Sequence, residues 1–281
     1  MISIIIPAHN EANVIRNAVT EYLPGIDTGE IEVIIVCNGC SDNTKDIVTS
    51  LSKEIKCIET AFPSKTNALN LGDAEAIGFP RIYQDADVVV SLDTIRKIDK
   101  LLESGKFIAA SPKMKMDVRK ASWTVRSYYE IWQGITYVQE GMIGTGIYAL
   151  SEAARKKFDK FPKIIADDGY IRALFKTEER TTLDNCCSIV RSPTNLNGLL
   201  KIKTRSRLGR YELKKKYPHL IKNEQKNYKG AFLKLVKQID LWPKIVVYFY
   251  VNMLSRFRAK KHIHHIGFSG WERDDSSRQV D

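Results

Sequence analysis

The first 87 residues alternate short apolar runs with amphipathic segments, and this alternation constrains the fold more than any other feature of the sequence. Strands are predicted at residues 3–6, 31–36, 55–58 and 81–84, and helices at residues 11–22, 42–52 and 65–76. Repeated strand-helix alternation is typical of a parallel sheet, because parallel neighbours need a crossover that covers a face of the sheet. The sequence therefore predicts an α/β, Rossmann-like, mostly parallel sheet with helices on both faces.

Polar turns follow three of these strands, at residues 7–11, 37–42 and 85–87. Ligands of open α/β sheets bind at the carboxyl ends of the strands, so these turns are expected to share one edge. Residues i and i+2 of an extended backbone point the same way, so Asp85 and Asp87 can converge on one cation. Carboxylate oxygens suit Mg²⁺ or Mn²⁺. A chain with this many Asp residues contains an Asp-x-Asp pair about once by chance. The pair therefore indicates a metal site only if the rest of the chain also predicts a nucleotide pocket and a catalytic group.

Length and composition predict a folded chain of one large domain, or of one domain with an extension. The 281 residues, 43% of them hydrophobic, are enough to bury a full core. The opening residues lack a basic segment, and no apolar run reaches the roughly 18–20 residues that span a bilayer, so a cytoplasmic protein is expected. The five Cys are an odd number and argue against a disulfide framework. Cys37-x-x-Cys40 has no second pair at matching spacing, so reduced thiols are favoured over a zinc site.

The charge of the chain is divided unevenly between its two parts. Residues 1–200 contain 24 Lys and Arg against 26 Asp and Glu, a net charge of −2. Residues 201–281 contain 20 against 7, a net charge of +13. The sequence therefore predicts a catalytic or binding domain over residues 1–200 and a basic, mostly helical C-terminal extension over residues 201–281. Such an extension is expected to meet an anion: phosphate, nucleic acid or a lipid surface.

The middle of the chain predicts further elements of the same kind. A helix is predicted at residues 93–104, a strand at 107–111 and a helix at 122–138. The last helix carries five aromatic residues, Trp123, Tyr128, Tyr129, Trp132 and Tyr137. An aromatic stripe at helical spacing is more often core than a sugar-stacking platform, so core packing is favoured. The glycine-rich residues 141–146 allow close approach of the backbone to a ligand, or simply a turn.

An acidic pair, Asp167 and Asp168, opens a predicted helix that ends near residue 176. Carboxylates near a helix N-terminus interact favourably with the macrodipole, so the pair has a structural interpretation as well as a catalytic one. The same applies to Glu11 and Asp42, which precede predicted helices.

Four motifs in chain order resemble the family 2 glycosyltransferases. They are PAHNE at residues 7–11, VCNGCSDNT at 36–44, SKTNALNLG at 64–72 and DAD at 85–87. Each lies at a strand-to-helix turn, and four in order are far more specific than one. The resemblance implies the A-type nucleotide-sugar fold and an inverting, metal-dependent transfer of sugar from a nucleoside diphosphate donor to a hydroxyl acceptor.

The resemblance also implies roles for individual residues. The nucleotide-sugar site would comprise Pro7, Glu11, Asn38, Asp42, Lys65, Asn70, Asp85, Arg205 and Arg207. The Mn²⁺ or Mg²⁺ would be held by Asp85 and Asp87. Family members commonly carry paired acidic residues where this chain has Cys37-Asn38. An amide can hydrogen-bond a base edge without charge, so a nucleotide site is still expected there.

The general base of the family maps onto the acidic pair, with Asp168 favoured over Asp167. This carboxylate would take the proton of the acceptor hydroxyl as it attacks the anomeric carbon, while the metal neutralises the departing diphosphate. The glycine-bearing loop at residues 141–146 would border the donor and acceptor sugars.

The expected partners are a nucleoside diphosphate sugar donor and a saccharide or lipid-linked acceptor, in polysaccharide or glycolipid synthesis. Residues 245–254 are apolar except for Asn252 and are flanked by Lys and Arg. They predict either a core helix or an interfacial one, and the basic flanks favour the cytoplasmic face of an anionic membrane.

Two other functions are compatible with paired acids. A nucleotidyltransferase would normally carry a glycine-rich phosphate loop early in the chain, which is absent after the first strand. The second is a non-catalytic nucleotide-sugar or nucleic-acid binding protein. Nucleic acid is not an expected partner, because no recognisable binding module is present.

Overall fold

A computed structural model describes residues 1–135, 142, 146–221, 237–270 and 272–278. The predicted glycine-rich loop lies mostly outside these residues, as do Tyr137 and the end of the predicted 122–138 helix. Within the described residues, an eight-stranded mixed sheet lies between helices. The α/β fold class predicted from the sequence is therefore confirmed.

The elements are numbered in chain order over the described residues. The strands are β1 (Ile2–Ala8), β2 (Ile31–Asn38), β3 (Lys56–Thr60), β4 (Arg81–Gln84), β5 (Val88–Val89), β6 (Ala109–Asp117), β7 (Ile147–Leu150) and β8 (Arg180–Arg191). The helices are α1 (Ile15–Thr20), α2 (Leu23–Asp27), α3 (Thr44–Leu51), α4 (Lys65–Glu75), α5 (Leu92–Glu103), α6 (Trp123–Gln133), α7 (Glu152–Arg155), α8 (Asp167–Leu174), α9 (Leu196–Lys216), α10 (Pro218–Ile221) and α11 (Trp242–Ile266).

The strand order of the sheet is β3-β2-β1-β4-β7-β6-β8-β5. The four strands predicted first, β3, β2, β1 and β4, are all parallel. In the other half, β7 runs antiparallel to both of its neighbours and β5 runs antiparallel to β8, while β6 and β8 are parallel. Four of the seven strand pairings among the described residues are thus parallel, as predicted, and the three antiparallel ones all lie in the second half. Strand β8 was not predicted, because seven of its twelve residues are polar or charged and they do not alternate with the apolar ones.

The first strands are continuous apolar runs because helices cover both of their faces. Every residue of β1 and β2 is buried. Ile4 packs in one core with Ile15 of α1 and Ile95 of α5, whereas Ile5 packs in a second core with Leu69 of α4. Alternate residues of one strand therefore enter opposite layers of the molecule, as the period of a strand requires.

The predicted helix at residues 11–22 is divided in the structure, and its first residues form a turn. The backbone N–H of Glu11 donates to Thr44 Oγ1 (2.9 Å), and the N–H of Ala12 donates to Asp42 Oδ2 (3.1 Å). These bonds tie the turn after β1 to the turn after β2. Helix α1 consequently begins only at Ile15.

The two long C-terminal helices pack on α6. Helices α9 and α11 share a buried cluster with α6 that includes Tyr128, Leu199 and Val251. Tyr128 and Tyr129 of the aromatic stripe are buried as predicted, whereas Trp123, predicted as core with them, is 59% exposed at the start of α6. Helix α9 spans residue 200, the position at which the sequence suggested a division between domain and extension. That division remains a prediction about independent folding.

Helix α11 has one buried and one exposed apolar face. Ile245, Val251 and Ala259 are buried, which satisfies the core-packing alternative for this segment. The exposed apolar side chains are Trp242, Val246, Phe249, Tyr250, Met253 and Phe257. None of the described helices is long and apolar enough to cross a membrane.

A buried ionic cluster fastens α4 to the sheet. Asp73 lies 2.7 Å from Arg81 Nη1 and 2.5 Å from Arg155 Nη2, and it accepts a hydrogen bond from Tyr83 Oη (2.6 Å). Burial raises the pKa of Asp73, but the hydrogen bonds from Arg155, Tyr83 and Arg81 outweigh burial and hold the pKa below its ordinary value. The carboxylate is therefore ionised in the folded protein.

We expect Asp73→Ala to lower the free energy of unfolding by about 3 kcal/mol, because it leaves two partly buried guanidinium groups without their shared carboxylate. The pKa of Asp73 is depressed by folding, so its contribution is present above the unfolded value and is lost as the pH falls through the folded value. Urea unfolding at pH 7 and at pH 3 measures both effects. Asp46→Ala, at an exposed position of α3, is the control. Equal stability of the two variants at pH 7 would show that the cluster contributes nothing.

Candidate active site

A cavity of about 1240 Å³ opens at the carboxyl edge of β1, β2 and β4. It brings together nine of the predicted site residues: Pro7, Glu11, Asn38, Lys65, Asp85, Asp87, Asp168, Arg205 and Arg207. Asp167 lines a small pocket of about 30 Å³ beside it, which it shares with Lys65 and Asp85. Residues from six separate stretches of sequence therefore meet at one edge of the sheet.

Two predicted ligand-binding residues, Asn70 and Asp42, do not line the cavity and instead hold backbone. The amide of Asn70 donates to the carbonyl of Phe161 (3.0 Å) and accepts from its N–H (2.8 Å), so both ends of the amide are used. Asp42 is exposed and accepts from the N–H of Thr44 (3.1 Å) as well as from Ala12. The capping alternative accounts for Asp42, and neither residue is carried forward as a ligand contact.

The two carboxylates of the Asp-x-Asp pair each lie against a cation. Asp85 Oδ1 is 2.7 Å from Lys65 Nζ, and Asp87 Oδ2 is 2.7 Å from Arg278 Nη2. Burial raises the pKa of Asp85, but Lys65 outweighs burial and lowers it below the ordinary value. Gly146, whose carbonyl accepts from the N–H of Asp85 (2.8 Å), has φ +67°, and a Cβ there would lie 2.4 Å from Val88. Only glycine fits this position.

The donor set at Asp85 and Asp87 suits a cation that is shared with a substrate. The described residues contain no group of three or more His, Cys, Asp or Glu side chains arranged for a metal. Mg²⁺ and Mn²⁺ are commonly held by one or two carboxylates together with substrate phosphates, because these ions do not need an all-protein cage. Two carboxylates at a strand end fit that mode of binding.

The two members of the acidic pair have different surroundings. Asp167 is buried, and its Oδ2 lies 3.1 Å from Lys65 Nζ. Burial raises the pKa of Asp167, while Lys65 opposes the shift. Asp168 is exposed, lines the cavity and accepts from the N–H of Gly169 (2.7 Å). Lys65 therefore connects Asp85 to Asp167, and Asp168 is the carboxylate that a ligand in the cavity can reach.

Helix α9 fixes the start of α8, where the acidic pair lies. A Cβ at Gly209 would lie 2.8 Å from Cβ of Ala166, so the two helices approach as closely as glycine permits. Glu212 Oε2 accepts from the N–H of Ile165 (2.8 Å), one residue before Ala166. Helix α9 thus positions the acidic pair at the start of α8, which the sequence did not reveal.

A C-terminal segment, residues 272–278, lies across the edge of the cavity; we call it the strap. Arg278 Nε is 2.8 Å from Glu11 Oε2, and Arg273 Nη2 is 2.8 Å from Glu11 Oε1. Arg273 also donates to the carbonyls of His9 and Asn10. Burial raises the pKa of Glu11 to about 7, and the two guanidinium groups of the strap oppose that rise. The strap therefore covers Glu11, which is predicted to bind the nucleotide, and forms an ion pair with Asp87, which is predicted to bind the metal.

The opposite wall of the cavity is basic and aromatic. Lys203 Nζ lies 4.9 Å from the ring centroids of Tyr128 and Tyr129 and 4.5 Å from that of Trp132. Burial lowers the pKa of Lys203 to about 7. Arg207 donates to Ser255 Oγ (2.9 Å) and to Asn252 Oδ1 (2.5 Å), both on α11. The rings predicted as core therefore also form part of the cavity wall.

The sequence is similar to one family of known proteins. The family model for "Glycosyl transferase family 2" matches residues 3–177. Over 97 residues the chain is 39% identical to the "Probable glycosyltransferase YdaM" of Bacillus subtilis, which covers 31% of this chain and 22% of that protein. The chain spans only 20–34% of the length of the curated relatives it matches.

Solved structures share the fold at low sequence identity. The mannosyltransferase PcManGT of Pyrobaculum calidifontis, in complex with GDP-Man and Mn²⁺, superposes with a TM-score of 0.61 at 16% identity, covering 94% of this chain and 75% of that chain. The glucosyl-3-phosphoglycerate synthase of Mycobacterium tuberculosis, in complex with Mn²⁺, UDP and glucosyl-3-phosphoglycerate, superposes with a TM-score of 0.56 at 17% identity, covering 76% and 79%. These similarities support the A-type architecture expected from the four motifs.

Proposed function

Because the chain belongs to glycosyl transferase family 2, we propose that it transfers a sugar from a nucleoside diphosphate sugar to a hydroxyl acceptor, with inversion. The observation that carries the proposal is the meeting of Lys65, Asp85, Asp87 and Asp168 at one cavity. The presence of GDP-Man or UDP with Mn²⁺ in two structures of the same fold supports this choice of donor and ion.

On this proposal the donor lies along the edge of β1, β2 and β4. Pro7, Glu11 and Asn38 line the nucleoside end of the cavity. The amide nitrogen of Asn38 already donates to the carbonyl of Ala8 (2.7 Å), so the contribution of this residue to base recognition is its carbonyl oxygen. Lys65 and Arg205 supply positive charge for the diphosphate. Arg207, predicted for the same role, is held by Ser255 and Asn252 on α11 and is not carried forward as a diphosphate contact.

Asp85 and Asp87 are the residues that would hold Mn²⁺ or Mg²⁺ on this proposal. A divalent ion bound there supplies positive charge that stabilises the departing diphosphate. Asp87 lies 2.7 Å from Arg278, so an ion at this carboxylate would replace the guanidinium of the strap.

Asp168 is proposed as the general base. It accepts the proton of the acceptor hydroxyl while the acceptor oxygen forms a bond to the anomeric carbon. The bond from that carbon to the diphosphate oxygen breaks at the same time, and its electron pair leaves with the nucleoside diphosphate. Attack from the face opposite to the leaving group gives inversion. Asp167, buried and paired with Lys65, positions this carboxylate and does not itself contact the acceptor.

A screen of nucleotide sugars tests the donor assignment. We expect one or more nucleoside diphosphate sugars to raise the melting temperature in the presence of Mn²⁺, and to do so much less in EDTA, because a ligand that binds only the folded state stabilises it. Stabilisation by nucleoside triphosphates with release of pyrophosphate would favour a nucleotidyltransferase instead. No stabilisation by any of the nucleoside diphosphate sugars would contradict the proposal.

We also propose that the acceptor is a saccharide or a lipid-linked saccharide and that the protein works at an anionic membrane surface. The exposed face of α11 combines apolar side chains with the neighbouring exposed cations Lys260 and Lys261. Such a surface binds anionic bilayers through buried apolar area and charge together. Polysaccharide or glycolipid synthesis would follow from this location.

Replacing two exposed apolar residues tests the membrane proposal. Val246 and Phe257 are 67% and 64% exposed, so Val246→Glu with Phe257→Glu should leave the fold intact. We expect this variant to lose most of its sedimentation with vesicles that contain anionic lipid. Ile77→Glu, at a residue that is 70% exposed outside α11, is the matched control and should bind like the wild type. Equal binding of all three proteins would contradict the proposal.

A further inference from the structure

Among the described residues, the charges that line the cavity are paired on one side only, where Lys65, Arg273 and Arg278 form ion pairs with carboxylates. The carboxylates of Glu11, Asp85, Asp87 and Asp168 come from the turns after β1 and β4 and from the start of α8. The opposite wall carries cations from α9 and α11, namely Lys203, Arg207, Arg210 and Arg256. We call this wall, together with the rings of Tyr128, Tyr129 and Trp132, the basic-aromatic wall.

The cations of the basic-aromatic wall are not neutralised within the part of the chain that the structure describes. No ion pair joins any of the four to a described carboxylate, whereas Lys65, Arg273 and Arg278 all have such partners. Arg207 is half-buried and is held by the neutral acceptors Asn252 and Ser255, which fix its direction and leave its charge in place. Half-buried positive charge without a counter-charge is unfavourable, and an anionic ligand would offset that cost.

The cavity is also larger than the donor alone requires, which leaves room at the basic-aromatic wall for a second ligand. A cavity of about 1240 Å³ exceeds the roughly 300–1,000 Å³ of a typical small-molecule site, so a second ligand can enter beside the donor. Two other cations lie nearest to the position expected for the diphosphate. Lys65 contacts Asp85, and Arg205 lies close enough to Asp85 to help Lys65 lower the pKa of that carboxyl group against the effect of burial. Neither Lys203 nor Arg210 forms an ion pair with Asp85 or Asp87.

We propose that the basic-aromatic wall is an acceptor subsite for a molecule that carries a phosphate or a carboxylate close to the hydroxyl that is glycosylated. This inference rests on the proposed function. The planar guanidinium group of Arg can donate two parallel hydrogen bonds to either a phosphate or a carboxylate. The aromatic rings offer apolar faces to the C–H groups of a sugar or polyol. Lys203 lies on the ring faces, and an anion beside it would favour its protonated form, which burial disfavours in the free protein.

Three small probes of similar skeleton test the charge requirement: glycerol 3-phosphate, glycerate and glycerol. Each is titrated by calorimetry into the full chain saturated with Mn²⁺ and a nucleoside diphosphate, so that the donor site is already filled. We expect at least one anionic probe to bind at least about tenfold more tightly than glycerol, and its affinity to fall with added salt. A preference for glycerol 3-phosphate identifies a phosphate acceptor, and a preference for glycerate identifies a carboxylate.

Two variants test whether the anionic probe binds at the basic-aromatic wall. Lys203→Met and Arg210→Met should each weaken the anionic probe by about tenfold or more and leave nucleoside diphosphate affinity within about twofold. Lys214→Met is the matched control, because it removes the same charge from an exposed position of α9 that does not line the cavity.

Three results would overturn the inference: equal binding of glycerol and both anions, wild-type probe affinity in both variants, or displacement of the nucleoside diphosphate by the probes. The last would mean that the wall serves the donor. Failure of this inference can be told apart from failure of the proposed function, because binding of the probes can also be measured in protein that contains no nucleotide.

Discussion

Asp168→Asn is expected to lower the rate of sugar transfer by about 10²–10⁴ while donor affinity stays within a few fold of the wild type. The amide keeps the shape of the side chain but cannot accept the proton of the acceptor hydroxyl. Donor binding should be preserved, because Asp168 faces the cavity and has no ion pair with Lys65, whereas Asp167 and Asp85 do. Single-turnover transfer and nucleoside diphosphate affinity, measured on the same preparation, separate the two effects.

Asp167→Asn is the matched variant, since the same chemical change is made one residue away. It should lower transfer less than Asp168→Asn and should lower the melting temperature more, because Lys65 would lose a buried partner. The opposite order of the transfer rates would move the base to Asp167. Wild-type transfer in both variants would mean that the pair only begins a helix.

Asp87→Ala is expected to abolish the advantage that Mn²⁺ gives to nucleoside diphosphate binding, a loss of roughly 100-fold in affinity, because groups that only orient metal ligands already contribute 10–100-fold. Affinity in EDTA should change little by comparison. Calorimetry with and without Mn²⁺ measures both values. The ratio of the two affinities is the quantity of interest, since the variant also releases Arg278 from its ion pair.

Asp275→Ala is the control for the Asp87 variant. Asp275 lies in the strap, 3.3 Å from Arg273, and is exposed, so its removal changes the local charge equally without touching the Asp-x-Asp pair. The ratio of affinities with and without Mn²⁺ should stay at the wild-type value. A ratio that is unchanged in Asp87→Ala as well would show that the metal assignment is wrong.

The sequence predicted those parts of the fold that local patterns determine. The parallel half of the sheet follows from apolar runs and amphipathic segments of the right length, and its turns lie at one edge because parallel strands end there. Asp85 and Lys65 were found for the same reason, since each lies next to a strand or at a helix start. These signals need only a few consecutive residues.

The remaining features depend on contacts between distant residues and left no periodic signal. The strap reaches Glu11 and Asp87 through Arg273 and Arg278, which are separated from Glu11 by more than 260 residues. The net charge of the C-terminal segment indicated anionic partners but could not show that carboxylates of the same chain are among them. Gly209 in α9 reads as an ordinary helix glycine until its contact with Ala166 is seen.

Asn70 is a motif position whose ligand role remains a prediction and whose side chain has a structural role. Its amide donates one hydrogen bond to the backbone of Phe161, a residue 91 positions later, and accepts one from it. A polar side chain within a motif can bind a ligand or hold the backbone that does so, and sequence alone does not separate the two.

Release of nucleoside diphosphate from a donor sugar that stabilises the protein is the most direct test of the central claim. With water as the acceptor, the wild type in Mn²⁺ should release nucleoside diphosphate, and the sugar first detected by NMR should have the inverted anomeric configuration. Both Asp168→Asn and Asp87→Ala should reduce that release by about 10² or more. Release at the wild-type rate by both variants, or a sugar of retained configuration, would contradict an inverting transfer that depends on these two carboxylates.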